Sequence, residues 1–350
     1  MAHQLSIIPT TVTPREDELL SSWLYRLSQV NYTKAHTFTK FHFPKFQVWN
    51  RDIDKLANTA FFQIASQLTT IPVKEIEALS LRGYEGSLYE YCNANGNQKW
   101  VLPVKIFHRT RLRNGLQFCP SCLIKDGKNP YFRRSWRLSL SICCPDCQIL
   151  LHDQCPFCEK PVTFFRNELG FKLSTTSLPI YLCCYCKNDL RKSPRYPAKI
   201  GVVSAQIRLK KYLTQGFVRD LPYALQYFEV LYQVIKLLIS RSKKLSRLQS
   251  MILGYYPSEM ILAQKGVSRI EFDRMSTLQR ENILPTAVWL LDHWPKRFIS
   301  ACQESGVSSA YINKDFKYVP FWFRKEIIEK LFFPNPVSSG INVKRSDKKK

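Results

Sequence analysis

The chain has 350 residues, 45% of them hydrophobic, with 22 Phe, 17 Tyr and 7 Trp, enough to bury the cores of two or three modest domains. Fifty-two Lys and Arg against 27 Asp and Glu leave a formal charge of +25, which points to a polyanionic partner: DNA, RNA or a ribonucleoprotein. No apolar run approaches the roughly 18 residues of a membrane span, and no segment joins a strong basic face to a strong apolar one, so no membrane partner is expected. No targeting segment is visible either, and the expected setting is soluble, reducing and cytoplasmic, close to the nucleoid.

Residues 1–12 read as an extended lead-in. Thr13-Pro14-Arg15-Glu16 is a helix-start signature, with a threonine N-cap, proline at the first helical position and a glutamate completing a capping box. Leu19, Leu20, Trp23, Leu24, Leu27 and Val30 follow at helical spacing and predict one buried stripe, with Trp23 in the core.

Between Arg51 and Leu81 the pattern predicts two helices. The first carries Ile53, Leu56, Ala60, Ile64 and Leu68, the break is Thr69–Pro72, and the second carries Val73, Ile76 and Leu79. This is the outline of a helix-turn-helix, although any antiparallel helix pair shares it. The second helix offers a DNA groove only Lys74 and then Arg82, beside Glu75 and Glu77, so a structural role is expected of it. Asp52 and Asp54 form a close acidic pair that would suit a two-metal nuclease. Carboxylates two apart on a helix diverge, however, and they are expected to serve the first helical turn.

Gly83, Gly86 and residues 93–97 mark loops leading to the cysteine-rich stretch. Just before it lie Lys105, Arg109, Arg111 and Arg113, and within it Arg133, Arg134 and Arg137 stand beside Tyr131, Phe132 and Trp136. Arginine forks among aromatics suit phosphate binding and stacking, and equally a hairpin with inward rings and solvated arginines.

Ten of the twelve cysteines fall between Cys119 and Cys186, in four Cys-x-x-Cys hooks. Each such hook supplies two soft ligands on one tight loop, and a tetrahedral zinc takes four. Paired in order, Cys119, Cys122, Cys144 and Cys147 would hold one ion, and Cys155, Cys158, Cys183 and Cys186 a second. The spans between paired hooks, residues 123–143 and 159–182, are each long enough for a returning β-hairpin. A cross-brace that interleaves the hooks would use the same eight sulfurs; adjacent pairing closes the shorter loops. Cys143 and Cys184 are spare thiols, and His152 could replace a sulfur. A disulfide framework is the alternative, but a chain this long should not need staples. Closed four-sulfur sites leave no position for water, so the two zincs are expected to be structural.

Residues 187–199 contain two prolines among basic residues and read as a linker. From about Ser204 to Phe333 the pattern is helical, with an apolar stripe of Tyr227, Val230, Leu231, Val234, Ile235 and Leu238. A basic run follows with Arg241, Lys243, Lys244 and Arg247, a further candidate for nucleic-acid or partner contacts. Gly254–Pro257 should break the helices, residues 261–275 loosely suggest a second helix-turn-helix, and Pro295 should end or kink a helix spanning 285–302. The expected architecture is mainly α with small β zinc ribbons. It comprises an N-terminal helix-turn-helix-like domain (1–100), a tandem zinc-ribbon region (101–192), a helical C-terminal domain (193–333) and a disordered basic tail (334–350). No Gly-rich phosphate loop, nucleophile elbow or His-Glu-x-x-His is present, and the six histidines show no metal-ligand spacing, so no catalysis is expected.

Several stretches resemble the TniQ family. EDELLSSWLYRLS (16–28) is similar to its N-terminal acidic-Ser-x-x-Ser-Trp helix, and VWNRDIDKL (48–56) and ALSLRGYEG (78–86) to two flanking landmarks. LQFCPSCLIKDGKNPYFRRSWRL (116–138), with the later CPFC (155–158), is the most specific match, and LDHWPKRF (291–298) resembles an element of longer members. One departure is that the family's second hook is usually Cys-x-x-His, where this chain has Cys144-x-x-Cys147. The resemblance implies a target-selection subunit of DNA transposition that recruits a TnsC-like AAA+ ATPase, and through it the transposase. Some members sit on an RNA-guided Cascade-type complex of a CRISPR-associated transposon, as dimers; others, the TnsD type, bind attachment-site DNA directly. The residues alone leave open a zinc-ribbon DNA-binding regulator that works without partners.

Overall fold

A computed structural model describes residues 7–104, 116–167, 178–219, 221, 223–255, 271–314, 316 and 318–331. The chain is mainly helical. Five helices come first: α1 (Leu20–Val30), α2 (Ala35–His42), α3 (Ile53–Leu56), α4 (Thr59–Thr69) and α5 (Val73–Ala78). The cysteine-rich stretch holds α6 (Pro120–Lys125) and a short hairpin, β1 (Cys143–Cys144) and β2 (Ile149–Leu150). Then come α7 (Ile200–Gln215), α8 (Ala224–Leu238), α9 (Lys243–Tyr255), α10 (Thr277–Glu281), α11 (Leu284–Asp292), α12 (Lys296–Ser305), α13 (Ser309–Ile312) and α14 (Phe321–Leu331).

The N-terminal helix begins later than its capping signature predicts, at Leu20 rather than after Thr13. The acidic residues are used elsewhere. Asp17 adopts a left-handed φ of 55°. Its main-chain carbonyl accepts from the Arg134 amide at 2.6 Å, and its carboxylate accepts from the Ser135 hydroxyl. Glu18, fully buried, accepts from Arg26 Nη1 at 2.6 Å. Leu19 N–H then reaches the Phe132 carbonyl at 2.9 Å. Tertiary pairing with residues 132–135 therefore outcompetes local capping. Residues 20–28 of α1 are all buried, so the helix is enclosed on every side rather than along one stripe; Trp23 lies in the core and its Nε1 donates to the Val12 carbonyl at 2.9 Å.

The first of the two helices expected between Arg51 and Leu81 is split in two. Asn58 takes an extended conformation and its side chain caps α4 by accepting from Phe61 N–H at 3.0 Å, which separates α3 from α4. Thr70, left-handed at φ 61°, ends α4 and turns the chain into α5, which packs against α4. Pro295 separates α11 from α12, as its chemistry requires. The stripe on α8 is buried throughout.

Two hydrophobic cores organise the molecule, and neither respects the expected boundaries near residues 100 and 192. One gathers α1–α5 with Phe118, Leu123, Phe132, Phe164, Ile180 and Leu190. The other gathers α7–α14 with Leu81, Trp100, Leu138 and Ile142. The β1–β2 hairpin belongs to both. Cys143 pairs with Leu150 and Cys144 with Ile149, and side chains alternate along a strand. Cys144 and Ile149 therefore lie in the first core, Cys143 and Leu150 in the second.

The stretch read as a linker is no linker. Leu150 N–H donates to the Tyr196 carbonyl at 2.8 Å and Ala198 N–H to the Gln148 carbonyl at 2.9 Å, pinning residues 196–198 beside β2 through a single antiparallel bridge, Ile149 to Pro197. The prolines suit an edge position, where one face of the backbone needs no partner. Gly254, the first residue of the expected break, lies within α9, which runs to Tyr255; residues 256–270, which hold the rest of that break and most of the suggested second helix-turn-helix, lie outside the described residues, as does the tail 334–350.

Candidate metal centres and the basic clusters

Three of the four hooks are the same turn. In each, the amide of the residue after the second cysteine donates to the carbonyl of the first: Gln148 to Cys144 at 2.7 Å, Glu159 to Cys155 at 2.8 Å and Lys187 to Cys183 at 3.0 Å. Those three residues have φ of 56°, 57° and 60°, a left-handed geometry unusual outside glycine and asparagine. The turn curls each Cys-x-x-Cys so that both sulfurs point to one spot. The fourth hook is built differently: Cys119 is the N-cap of α6, Pro120 its first residue, and Cys122 N–H donates to Cys119 Sγ at 3.4 Å. The span between hooks one and two is thus a helix and a turn rather than the expected returning hairpin; the hairpin is the second hook itself.

The fold brings the sulfurs together in two sets, Cys119, Cys122, Cys144, Cys147 and Cys155, Cys158, Cys183, Cys186, each within 4.8 Å of one another. This is the adjacent pairing. Cys122 Sγ lies 3.5 Å from Cys144 Sγ and 3.6 Å from Cys147 Sγ; Cys155–Cys186 and Cys158–Cys183 are both 3.7 Å apart. A tetrahedron with metal–sulfur bonds of about 2.3 Å has sulfurs about 3.8 Å apart, whereas a disulfide needs about 2 Å. All described cysteines are free thiols. Both sets therefore fit a four-sulfur metal ion and not a disulfide framework.

The surroundings favour the thiolate at Cys144 and at Cys186, while burial pushes the Cys155 thiol up to about 11 and raises Cys183 as well. Hydrogen bonds from Cys119 and then Cys122 push the Cys144 thiol down to about 2, and the same contacts hold Cys119 well above the usual thiol range. Burial works against the Cys186 thiolate, but the Asn188 amides outweigh it and bring it down to about 7. Donors aimed at sulfur are what a metal's outer shell supplies. His152 is not a ligand: its Nε2 meets the Pro194 carbonyl at 2.7 Å, and its ring stacks on Phe118. Cys143 is a core residue, and Cys184 Sγ contacts Thr163 Oγ1 at 3.1 Å.

The arginines beside the first centre are spent inside the fold, contrary to their expected place on a phosphate-binding surface. Arg137 is 1% exposed and forks onto Asp52 Oδ2 at 2.7 Å and Asp54 Oδ2 at 2.8 Å. Arg133 grips both oxygens of Asp126, at 2.6 and 2.7 Å, and lies over the Tyr131 and Trp136 rings. Arg134 donates to the Ala78 carbonyl, lies 4.4 Å from the Tyr84 ring centroid and faces Asp17. A guanidinium enclosed among carboxylates and rings is poorly placed to reach a phosphate, and the unpartnered Nε atoms of Arg134 and Arg137 are buried. The same geometry corrects the reading of Asp52 and Asp54. Neither caps α3; Asp54 accepts from Ser21 N–H at 2.8 Å and Oγ at 3.0 Å as well as from Arg137, so the pair clamps α1, α3 and the 135–137 turn rather than a catalytic metal. Arg241, Lys243, Lys244 and Arg247 are exposed at and along α9, with Lys244 Nζ 4.9 Å from the Tyr311 ring. Lys105, Arg109, Arg111 and Arg113 lie outside the described residues.

Residues 9–151 match the family model TniQ. This segment is similar to the TniQ family. The match takes in α1–α6, the Asp52–Asp54–Arg137 clamp and the whole first cysteine centre, and it ends at Leu151 just past β2. The second centre and the helices from α7 onward lie beyond it. No curated protein matches the chain. Among the described residues no helix is long and apolar enough to cross a membrane.

Proposed function

We propose that the protein is a non-catalytic target-selection adaptor of DNA transposition, linking a target-bound complex to a TnsC-like AAA+ ATPase and, through it, to the transposase. The observation that carries this is the TniQ segment at 9–151. Two features agree with it. The paired cysteine centres are closed sets of four sulfurs, suited to two structural Zn²⁺ ions that hold docking surfaces rigid. The charge of +25 suits an assembly built on nucleic acid. The target-bound complex is an RNA-guided Cascade-type effector, on which the protein docks as a dimer, or attachment-site DNA bound directly.

The test is capture. Purified protein should retain the AAA+ ATPase of its own transposon without hydrolysing nucleotide itself, and should co-purify with the guide complex where one is encoded. Sequence-selective duplex binding with no capture of either would instead favour a zinc-ribbon regulator acting alone. Intrinsic nuclease or ATPase activity that survives purification would defeat the adaptor reading.

A further inference from the structure

The segment flanking the bridge between Ile149 and Pro197 carries three cations. Lys192, Arg195 and Lys199 are all exposed, and the backbone between them is pinned at fixed points. The Pro194 carbonyl meets His152 Nε2, the Tyr196 carbonyl takes the Leu150 amide, and the Lys199 carbonyl accepts from Val202 N–H at 2.9 Å as α7 begins. The row is therefore presented by a rigid edge tied to the metal centre. Carboxylates on the elements that touch it are engaged elsewhere. Asp189 is held by Arg191 at 2.8 Å, with Lys192 adding a weaker attraction, Asp126 is held by Arg133, and Asp153 accepts from Thr277 N–H at 2.7 Å. Asp146, at the hairpin tip, is 3.9 Å from Lys210, itself on the following helix.

We infer that the edge formed by Lys192, Arg195 and Lys199 is a phosphate-backbone contact for duplex DNA. Duplex DNA presents one negative charge per roughly 1.7 Å of axis, the densest complement such a row can meet. The nearby aromatic argues against single strands, whose binding needs rings free to stack on bases. Tyr196 is 52% exposed, but its ring leans on His152 with centroids 5.7 Å apart. One side of the ring is thus occupied, while the three cations face solvent. The edge extends the proposed function by giving the adaptor a sequence-independent grip on target DNA, and it stands on charge and geometry rather than on family resemblance.

The experiment is a salt titration of DNA binding by the full-length protein, using a random-sequence duplex. The variant Lys192→Gln/Arg195→Gln/Lys199→Gln is compared with a charge-matched control, Lys314→Gln/Arg324→Gln/Lys325→Gln, drawn from exposed cations around α14. The edge variant should bind at least about tenfold more weakly near 0.1 M salt, and its log–log salt slope should fall by about 2 to 3, close to 0.9 per lost phosphate contact. The control should lose much less, and metal content and melting temperature should be unchanged in both. Equal losses in the two variants would show a bulk-charge effect and overturn the assignment, as would tighter binding to single-stranded DNA or RNA than to duplex. Intact DNA binding with lost ATPase capture would overturn it too, reassigning the edge to an acidic protein surface while leaving the adaptor function standing.

Discussion

Arg137 shows how far a residue's role depends on what the fold brings to it. In the sequence it stands among aromatics like a nucleic-acid contact, yet its partners Asp52 and Asp54 arrive from more than 80 positions away. Removing it leaves Asp54 buried without its counter-charge, a defect worth about 3–5 kcal/mol. Arg137→Ala should therefore unfold far more easily in denaturant, while Arg137→Lys should recover only part of the loss because an ammonium cannot fork onto two carboxylates. A melting curve equal to the parent's would contradict the clamp. Gly83 is a second case. A methyl there would overlap Arg134 Nη1, which rests over it. Gly83→Ala should cost about 1–2 kcal/mol, and most of that cost should vanish in an Arg134→Ala background, as a double-mutant cycle would reveal. Asp273 sets a pH dependence. Fully enclosed, it accepts from Tyr232 Oη at 2.7 Å and Trp100 N–H at 3.1 Å, and burial raises its carboxyl to about 6 from 3.8. The folded state thus holds this proton more tightly than the unfolded chain, so the group's contribution is greatest below pH 4 and is lost as pH rises through about 6. Between pH 5 and 7 the parent should lose roughly 1 kcal/mol relative to Asp273→Asn, whose amide can keep the contacts. Equal pH profiles of the two would refute it.

At the scale of elements, the cysteine turns were the most legible feature of the sequence, because metal-ligand spacing is a local property and the hooks are local. Their assembly was legible only in part. The adjacent pairing follows loop length, but the helix-capped first hook, the three left-handed turns at Gln148, Glu159 and Lys187, and the double allegiance of the β1–β2 hairpin depend on long-range packing. The late start of α1 has the same cause: Thr13 to Glu16 offered a good local cap, and Asp17 and Glu18 found better partners across the fold. Two prolines in 187–199 suit a segment pinned beside a strand as well as a linker, and only the bridge to β2 distinguishes them. The metal centres hold more than themselves. Tyr25 Oη and Gln29 Nε2 on α1 donate to the Leu178 carbonyl, at 2.8 and 3.1 Å, just ahead of the second centre's last hook. Metal analysis should find two zinc ions per chain. Cys119→Ser and Cys158→Ser should each remove one and, since a structural site supplies binding energy on the order of 10 kcal/mol, should collapse the first core rather than impair a single activity. Parent-like thermal unfolding of either variant would show the cysteines to be ordinary core residues.

At the scale of the whole molecule, the two cores are stitched by polar contacts as well as by the hairpin. Arg280, fully buried on α10, donates to the Ser139 and Ser141 carbonyls and to Gln117, tying the C-terminal helices to the TniQ segment. The helices beyond residue 151 are therefore not an appendage on a flexible tether; a displacement felt at the C-terminal part is carried into the metal-stapled part through packed side chains. Such a body suits the proposed adaptor, which would hold a target complex and an ATPase in one fixed relation. The measurement that bears most directly on this account is insertion-site sequencing of the transposon in cells with and without the protein. Insertions should concentrate at one offset from the chosen target when it is present, and that concentration should disappear when it is deleted. An unchanged distribution of insertions without the protein would contradict its role in target selection.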